Sequence, residues 1–309
     1  MDLDQQVPKF IFVVGGVMSS VGKGVTSASI TAILKTRGYN VTNIKCDMYV
    51  NIDAGTMRPT EHGEVFIGED GIEADQDLGN YERFTGNKMT GANYVTTGQV
   101  YQEVIRKERN LEYGGEDVEV VPHVPEEIIR RIMVAQEKAE ADITIIEIGG
   151  TVGEYQVLLF LEAARIMKVR YPHDVAFVLV SYLPLPAHIG EMKTKPTQYA
   201  VRTLNGAGIQ ANFIIARGPE RLDQRRRDKL TEVCNLVEGT VIAAPDCDSI
   251  YDVPLLFHEQ ELDVKLLEIL GLELREAHME PWRDLSSRIK SFDKEIKIAV
   301  VGKYFATGA

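Results

Sequence analysis

One decapeptide constrains this chain more than any other feature. Residues 15–24, GGVMSSVGKG, follow directly on the apolar run 10–14 and lead into a stretch where Val25, Ala28, Ala32 and Ile33 recur at helical spacing until Gly38 stops them. A strand that turns through glycines into a helix N-terminus is a phosphate cradle. The glycines let backbone N–H groups approach an anion, the helix end adds partial positive charge, and Lys23 can reach the β and γ phosphates of a nucleotide. A merely structural glycine turn would leave a lysine flanked by Gly22 and Gly24 without a reason.

Further apolar runs at 41–44, 143–148, 175–180, 213–216 and 241–244 read as buried parallel strands, with amphipathic helical stretches between them. The alternation predicts an α/β fold: a doubly wound, mostly parallel sheet with phosphate-loop architecture, whose ligands lie beyond the carboxyl ends of the strands. Residues 47–125 break the rhythm, being rich in Gly, Asp, Asn and Thr, and so much irregular chain inside a compact domain points to function. The expected boundaries are a main domain over 1–276, a polar linker over 277–294 containing Pro281 and the sole tryptophan, Trp282, and the start of a further domain over 295–309. That last piece opens on an expected strand at 296–301.

Composition narrows the partners. A net charge of −12 disfavours nucleic acid and anionic membrane surfaces, and the polar N-terminus lacks the charged and apolar regions of a signal peptide. No apolar stretch approaches the ~20 residues of a membrane span. Cys46, Cys234 and Cys247 are too scattered for a disulfide framework or a cysteine zinc site; they read as small core residues of a protein in the reducing cytoplasm.

The loop is not the standard one. Five residues rather than four separate Gly16 from Gly22, and Gly24 stands where a Ser or Thr normally offers magnesium a hydroxyl. Carboxylates must then hold the cation, because Mg2+ takes hard oxygen ligands. Glu147 ends a buried apolar run just before Gly149-Gly150, where an unpaired carboxylate would be costly, and Asp77 lies in the polar insertion; these two are the candidate metal ligands.

Ordered segments along nearly the whole chain resemble the synthetase (amidoligase) domain of the CTP synthase family, whose architecture is dethiobiotin-synthetase-like. They are GGVMSSVGKG at 15–24, YVNIDAGTM at 49–57, EHGEVF at 61–66, DLGNYERF at 77–84, TTG at 96–98, KER at 107–109, VPH at 121–123, EIGGTVG at 147–153, KTKPTQ at 193–198 and DSIY at 248–251. The resemblance implies ATP-dependent amination of UTP to CTP through a 4-phosphorylated UTP. Ammonia is the nitrogen donor, Mg2+ the cofactor, CTP both product and feedback inhibitor, and the assembly a homotetramer.

It also implies roles for residues. Lys23, Lys45 and His62 are the catalytic candidates, Lys45 as a phosphate contact and the segment around His62 on the ammonia route. ATP falls to Ser20, Val21, Gly22, Lys23, Gly24 and Val25 with Asp77, while Arg217, Asp246 and Cys247 lie towards its adenosine end. UTP and CTP fall to Ser19, Lys193, Thr194, Lys195, Pro196, Thr197, Gln198 and Lys229, with Glu154, Tyr155 and Gln156 sensing the CTP base. Taken alone, 193–198 would be a solvated basic loop and 221–229 a solvated helix face, and the latter reading is kept for Arg225, Arg226 and Arg227.

Two residues depart from the family's pattern: Met48 stands where proline is usual, and Gln156 where an acid is common, which bears on product inhibition. The chain holds no G-x-C-x-G elbow of the family's glutaminase, and 296–304 resembles that domain's first strand, so a truncated, ammonia-dependent form is expected. A dethiobiotin-synthetase-like ligase or a partitioning ATPase would not account for KTKPTQ and EHGEVF. A nucleotide-binding protein that works by assembling into filaments is distinguished by an assay of CTP formation.

Overall fold

The computed structural model describes residues 7–58, 63–188 and 190–301. Its strands are β1 (Lys9–Gly16), β2 (Val41–Asp47), β3 (Val65–Ile67), β4 (Glu73–Asp75), β5 (Tyr94–Thr96), β6 (Ile143–Ile148), β7 (Val175–Tyr182), β8 (Phe213–Gly218) and β9 (Val241–Pro245). Seven of them form one sheet in the order β5-β2-β6-β1-β7-β8-β9, every pairing parallel, and β3 and β4 form a separate antiparallel hairpin.

Alternate side chains of a strand face opposite ways, and here both faces are covered. Phe10, Phe12, Val14, Ile44, Ile146 and Phe177 enter one core, while Ile11, Val13, Ile145, Val178 and Ile215 enter the other. Burial on both faces is why these strands read as unbroken apolar runs. Helix Lys23–Thr36 covers the second face, and its Ala28 and Ala32 also meet Leu78, Tyr81 and Phe84 of helix Asp77–Thr85. Because the chain leaves β1 for β2 on one side and later reaches β7 on the other, the loops at the carboxyl end of β1 open a crevice.

The insertion is more regular than its composition suggests. It contains the hairpin, the helix Asp77–Thr85, the edge strand β5 and the helix Thr97–Arg109, whose first turn is capped by Thr96 Oγ1 accepting from the Gln99 amide at 3.1 Å. The latter helix is fixed to helix Val120–Ala139 by one buried carboxylate, Glu127, which takes Lys107, Arg130 and Arg131 together. Among the described residues, no helix is long and apolar enough to cross a membrane.

Three expectations need correction. The stretch 277–294 is not merely a polar connector: it holds helix Glu280–Lys290, which packs Trp282 on Phe84 (5.5 Å between ring centroids) and bonds Asp252 through Ser286 and Lys290. Residues 296–301 form no strand, since they pair with neither sheet, and Ile296 and Val301 are 81% and 94% exposed. Cys46 and Cys234 are core residues, but Cys247 is exposed, because it follows β9 in the loop that rims the crevice.

The C-terminal part of the domain is tied to helix Lys23–Thr36 by a buried ion pair, Arg37 Nε donating to Asp263 Oδ2 at 2.7 Å with side chains 6% and 1% exposed. Breaking such a pair leaves the Asp263 carboxylate, among the described residues, with only the His258 ring nitrogen, 3.0 Å from the same oxygen. Arg37→Met is therefore expected to lower the unfolding free energy by about 3–5 kcal/mol, read from urea denaturation. Arg283→Met, at the exposed pair with Glu280, should leave the midpoint unchanged.

Candidate nucleotide and metal site

The crevice is organised around one lysine. On the sheet, Lys45 of β2 stands in register with Glu147 of β6 and Tyr94 of β5, so these side chains share a face. The Lys45 ammonium donates to Glu147 Oε1 at 2.9 Å and to Asp77 Oδ2, with Asp47 Oδ1 and Asp75 Oδ1 each at 3.9 Å. Asp47 comes from the end of β2, Asp75 from β4 and Asp77 from the first turn of the next helix, where its amide donates to Asp75 at 2.8 Å. Glu147 is fully buried, and its second oxygen accepts the Tyr81 hydroxyl.

Burial and charge divide these groups. Burial opposes the Lys45 charge, yet Asp77, Glu147, Asp47 and Asp75 hold its pKa well above the ordinary lysine value. Burial also pushes up the carboxyls of Glu147 and Asp47, and that of Asp75 to about 6. Asp77 is buried as well, but Lys45 keeps it below the usual range. Burial lowers Lys23, with Glu147 pulling the other way. Four carboxylates against the ammoniums of Lys45 and Lys23 leave an excess of two negative charges when all are ionised.

Gly24 shows why the loop lacks its hydroxyl residue. A Cβ placed there would overlap Asp77 Oδ1, so the volume a serine or threonine would fill is taken by a carboxylate from elsewhere in the chain. The donor set is all oxygen and anionic, which fits Mg2+. The loop turns into its helix at Gly22, φ 91°, a left-handed conformation suited to glycine, and helix Lys23–Thr36 follows at once. Ser19 and Ser20 are exposed, Val21 is buried, and Lys23 Nζ donates to the Gly150 carbonyl at 2.8 Å, placing its charge beside the crevice. A cavity of about 230 Å³ adjoins the loop, lined by Gly22, Val25, Arg217, Asp246, Cys247 and Phe257 among others. Arg217 pairs with Asp246 at 2.9 Å and donates to the Ala244 carbonyl at 2.8 Å.

On the other side of the loop, Gly16 lies so close to helix Lys195–Gly206 that a Cβ on it would stand 2.6 Å from Ala200 Cβ. That helix carries the 193–198 segment: Pro196 in its first turn, Thr197 bonded to Ser181 at 2.8 Å, Gln198 to Thr194 at 3.1 Å, Lys195 exposed and Lys193 paired with Glu191. Arg226 and Arg227 are not on a solvated face. Arg226 donates to the Met192 carbonyl at 2.9 Å and Arg227 to that of Val241, both half-buried, because helix Gln224–Val233 lies against both the segment before 193–198 and the start of β9. Arg225 is exposed as expected, and exposed Lys229, three residues beyond Arg226, shares the latter's side of the helix. Glu154 accepts from the Thr151 amide at 2.7 Å and from Gln156 at 2.8 Å, and Tyr155 is 90% exposed. Met48 covers the Gly149-Gly150 turn, its Sδ 2.5 Å from a Cβ built on Gly150. His62 lies outside the described residues.

Asp47, Asp75 and Tyr81 are the site residues that sequence reasoning missed. Signals existed: Asp47 is two positions from Lys45 on a strand, and Asp75 precedes Asp77 by two, spacings that repeat a face.

Fold and site together define a phosphate-loop α/β domain with four carboxylates gathered about one buried lysine. The chain belongs to the CTP synthase family, since residues 9–272 match the profile of the CTP synthase N-terminus. It is 49% identical over 298 residues to the CTP synthase of Thermococcus gammatolerans, covering 96% of this chain and 55% of that protein. The corresponding figures are 48% over 297 residues, 96% and 55% for Pyrococcus abyssi, and 46% over 297 residues, 96% and 54% for Picosynechococcus sp.. The chain thus spans about half the length of the curated relatives it matches. Among solved structures, the signal recognition particle 54 kDa protein of Aeropyrum pernix overlaps at a TM-score of 0.43 with 15% identity, covering 94% of this chain and 50% of that one, too loose a match to add to the fold described above.

The overlap at Gly24 makes a direct expectation. Gly24→Ser should displace Asp77 and weaken Mg·ATP binding, while the circular dichroism spectrum stays unchanged. Calorimetric titration with Mg·ATP reads the loss.

Proposed function

We propose that this chain carries out the amination of UTP to CTP at the expense of ATP. The observation that supports it best is the convergence, at one carboxyl edge, of the phosphate loop, the acid cluster and the 193–198 helix start, in a member of the CTP synthase family. In this reading ATP lies along 20–25 with its adenosine towards Arg217, Asp246 and Cys247, and UTP lies towards Ser19, 193–198 and Lys229. The UTP 4-oxygen takes the γ-phosphoryl group, and ammonia then displaces that phosphate.

Phosphoryl transfer of this kind rests on positioning and charge neutralisation. Loop amides and Lys23 hold the phosphates, and Lys45 supplies a second ammonium. Asp77 and Glu147 would hold Mg2+, which supplies further charge neutralisation when bound. His62, in the segment EHGEVF at 61–66, belongs with the ammonia route in this reading. The exposed apolar side chains Tyr155, Leu158 and Tyr199 suit subunit contacts of a homotetramer in the cytoplasm, with CTP returning as feedback inhibitor near 154–156.

The deciding assay is CTP formation from UTP, ATP, MgCl2 and ammonium chloride; absence of CTP would overturn the reading. At fixed total ammonium the rate should climb with pH, because neutral ammonia is the attacking species. Lys23→Ala should cut turnover by on the order of 100-fold or more, the usual loss for one charge-stabilising group, with the melting temperature retained. Asp77→Asn and Glu147→Gln keep shape and remove charge, so each should raise the magnesium concentration needed for half-maximal rate. An unchanged requirement in both would dismiss them as ligands.

A further inference from the structure

Lys45 holds the place that a metal ion would need. Its side chain is 6% exposed, and its ammonium is within ion-pair reach of all four carboxylates of the cluster. Each oxygen it takes is one that a cation would want. Glu147 Oε2 is engaged by Tyr81, which leaves Oε1, and Oε1 is bonded to Lys45. Asp77 Oδ2 is likewise held by Lys45. Among the described residues, no three His, Cys, Asp or Glu side chains close on a common point in the manner of a metal site. The carboxylates are instead arranged about the ammonium.

We propose that Lys45 is the resident counter-ion of this site, and that a divalent cation entering with nucleotide displaces it from between Asp77 and Glu147. The inference rests on the reading of those two acids as magnesium ligands. A divalent ion and an ammonium on the same Glu147 oxygen would stand a few ångströms apart and repel each other, which drives the ammonium away on its four-carbon stem. The charge excess decides what happens next. With Lys45 in place the cluster is partly neutralised, and a bare divalent ion gains little by entering, because it must push the ammonium off its two nearest acids and leave it only Asp47 and Asp75, each 3.9 Å away at present. A nucleotide triphosphate changes this, since its phosphates, held at the neighbouring loop, offer the displaced ammonium a new anion. The lysine thus makes the site selective for metal that arrives with nucleotide, and it keeps four mutually repelling acids from destabilising the empty fold.

The test uses MgCl2 alone, without nucleotide, and reads binding by calorimetry and unfolding by thermal melting. Wild-type protein should melt at the same temperature in EDTA and in millimolar MgCl2. Lys45→Met should melt lower in EDTA, recover in MgCl2, and bind Mg2+ at least about ten-fold more tightly than wild type, a gain that melting reports by linkage. Lys45→Arg, which keeps the charge, should behave as wild type. If Lys45→Met is unfolded in EDTA, the double variant with Asp75→Asn carries less excess charge and allows the same comparison. Magnesium affinity in Lys45→Met or the double variant no tighter than wild type, or wild-type binding of MgCl2 alone as tight as theirs, would overturn the proposal. CTP formation is not read in these experiments, so failure of the exchange and failure of the proposed reaction are told apart.

Discussion

Four carboxylates drawn into one buried crevice repel one another, and the ammonium of Lys45 between them is what makes the arrangement tolerable. Much of the surrounding architecture can be understood as serving this contact. The parallel register sets Lys45 beside Glu147, the hairpin and the helix after it bring Asp75 and Asp77 across, and Tyr81 closes the remaining oxygen of Glu147. The insertion between β2 and β5 is in this sense a device for delivering acids to a lysine that the sheet has already placed.

The sheet was largely legible in the sequence, because strands covered on both faces leave continuous apolar runs, as 10–14 and 143–148 did. The strand β5 was not, being three residues long with no period to read. The strand expected at 296–301 shows the opposite error: apolar composition suits a strand, but pairing requires a neighbour, and nothing in a single segment tells whether one exists. Of the site, Lys23, Asp77 and Glu147 could be named from the loop's missing hydroxyl and a buried acid. Asp47 and Asp75 were overlooked because a short polar stretch gives equal weight to every acid in it. Arg226 and Arg227 were misjudged because carbonyl acceptors contributed by other segments leave no mark in the local sequence.

The loop is also held from both flanks. Gly16 touches the helix that carries 193–198, while Gly22 and Val25 border the cavity beside Arg217. Anything bound in that cavity and anything bound at the 193–198 turn would therefore be separated by little more than the loop's own backbone, which suits a transfer between two ligands. Further out, Phe84 lies between Tyr251 and Trp282, so the helix Glu280–Lys290 rests on the same element whose first residue is Asp77.

The shared volume at Gly24 and Asp77 has a historical side. Those two positions are far apart in the chain but compete for one space, so neither can drift alone. A lineage moving from this loop to the hydroxyl-bearing kind would meet a collision if residue 24 grew first, and a cation site short of an oxygen if residue 77 shrank first. The two positions are therefore expected to change together, and among related proteins a side chain at the first should mark the loss of the acid at the second.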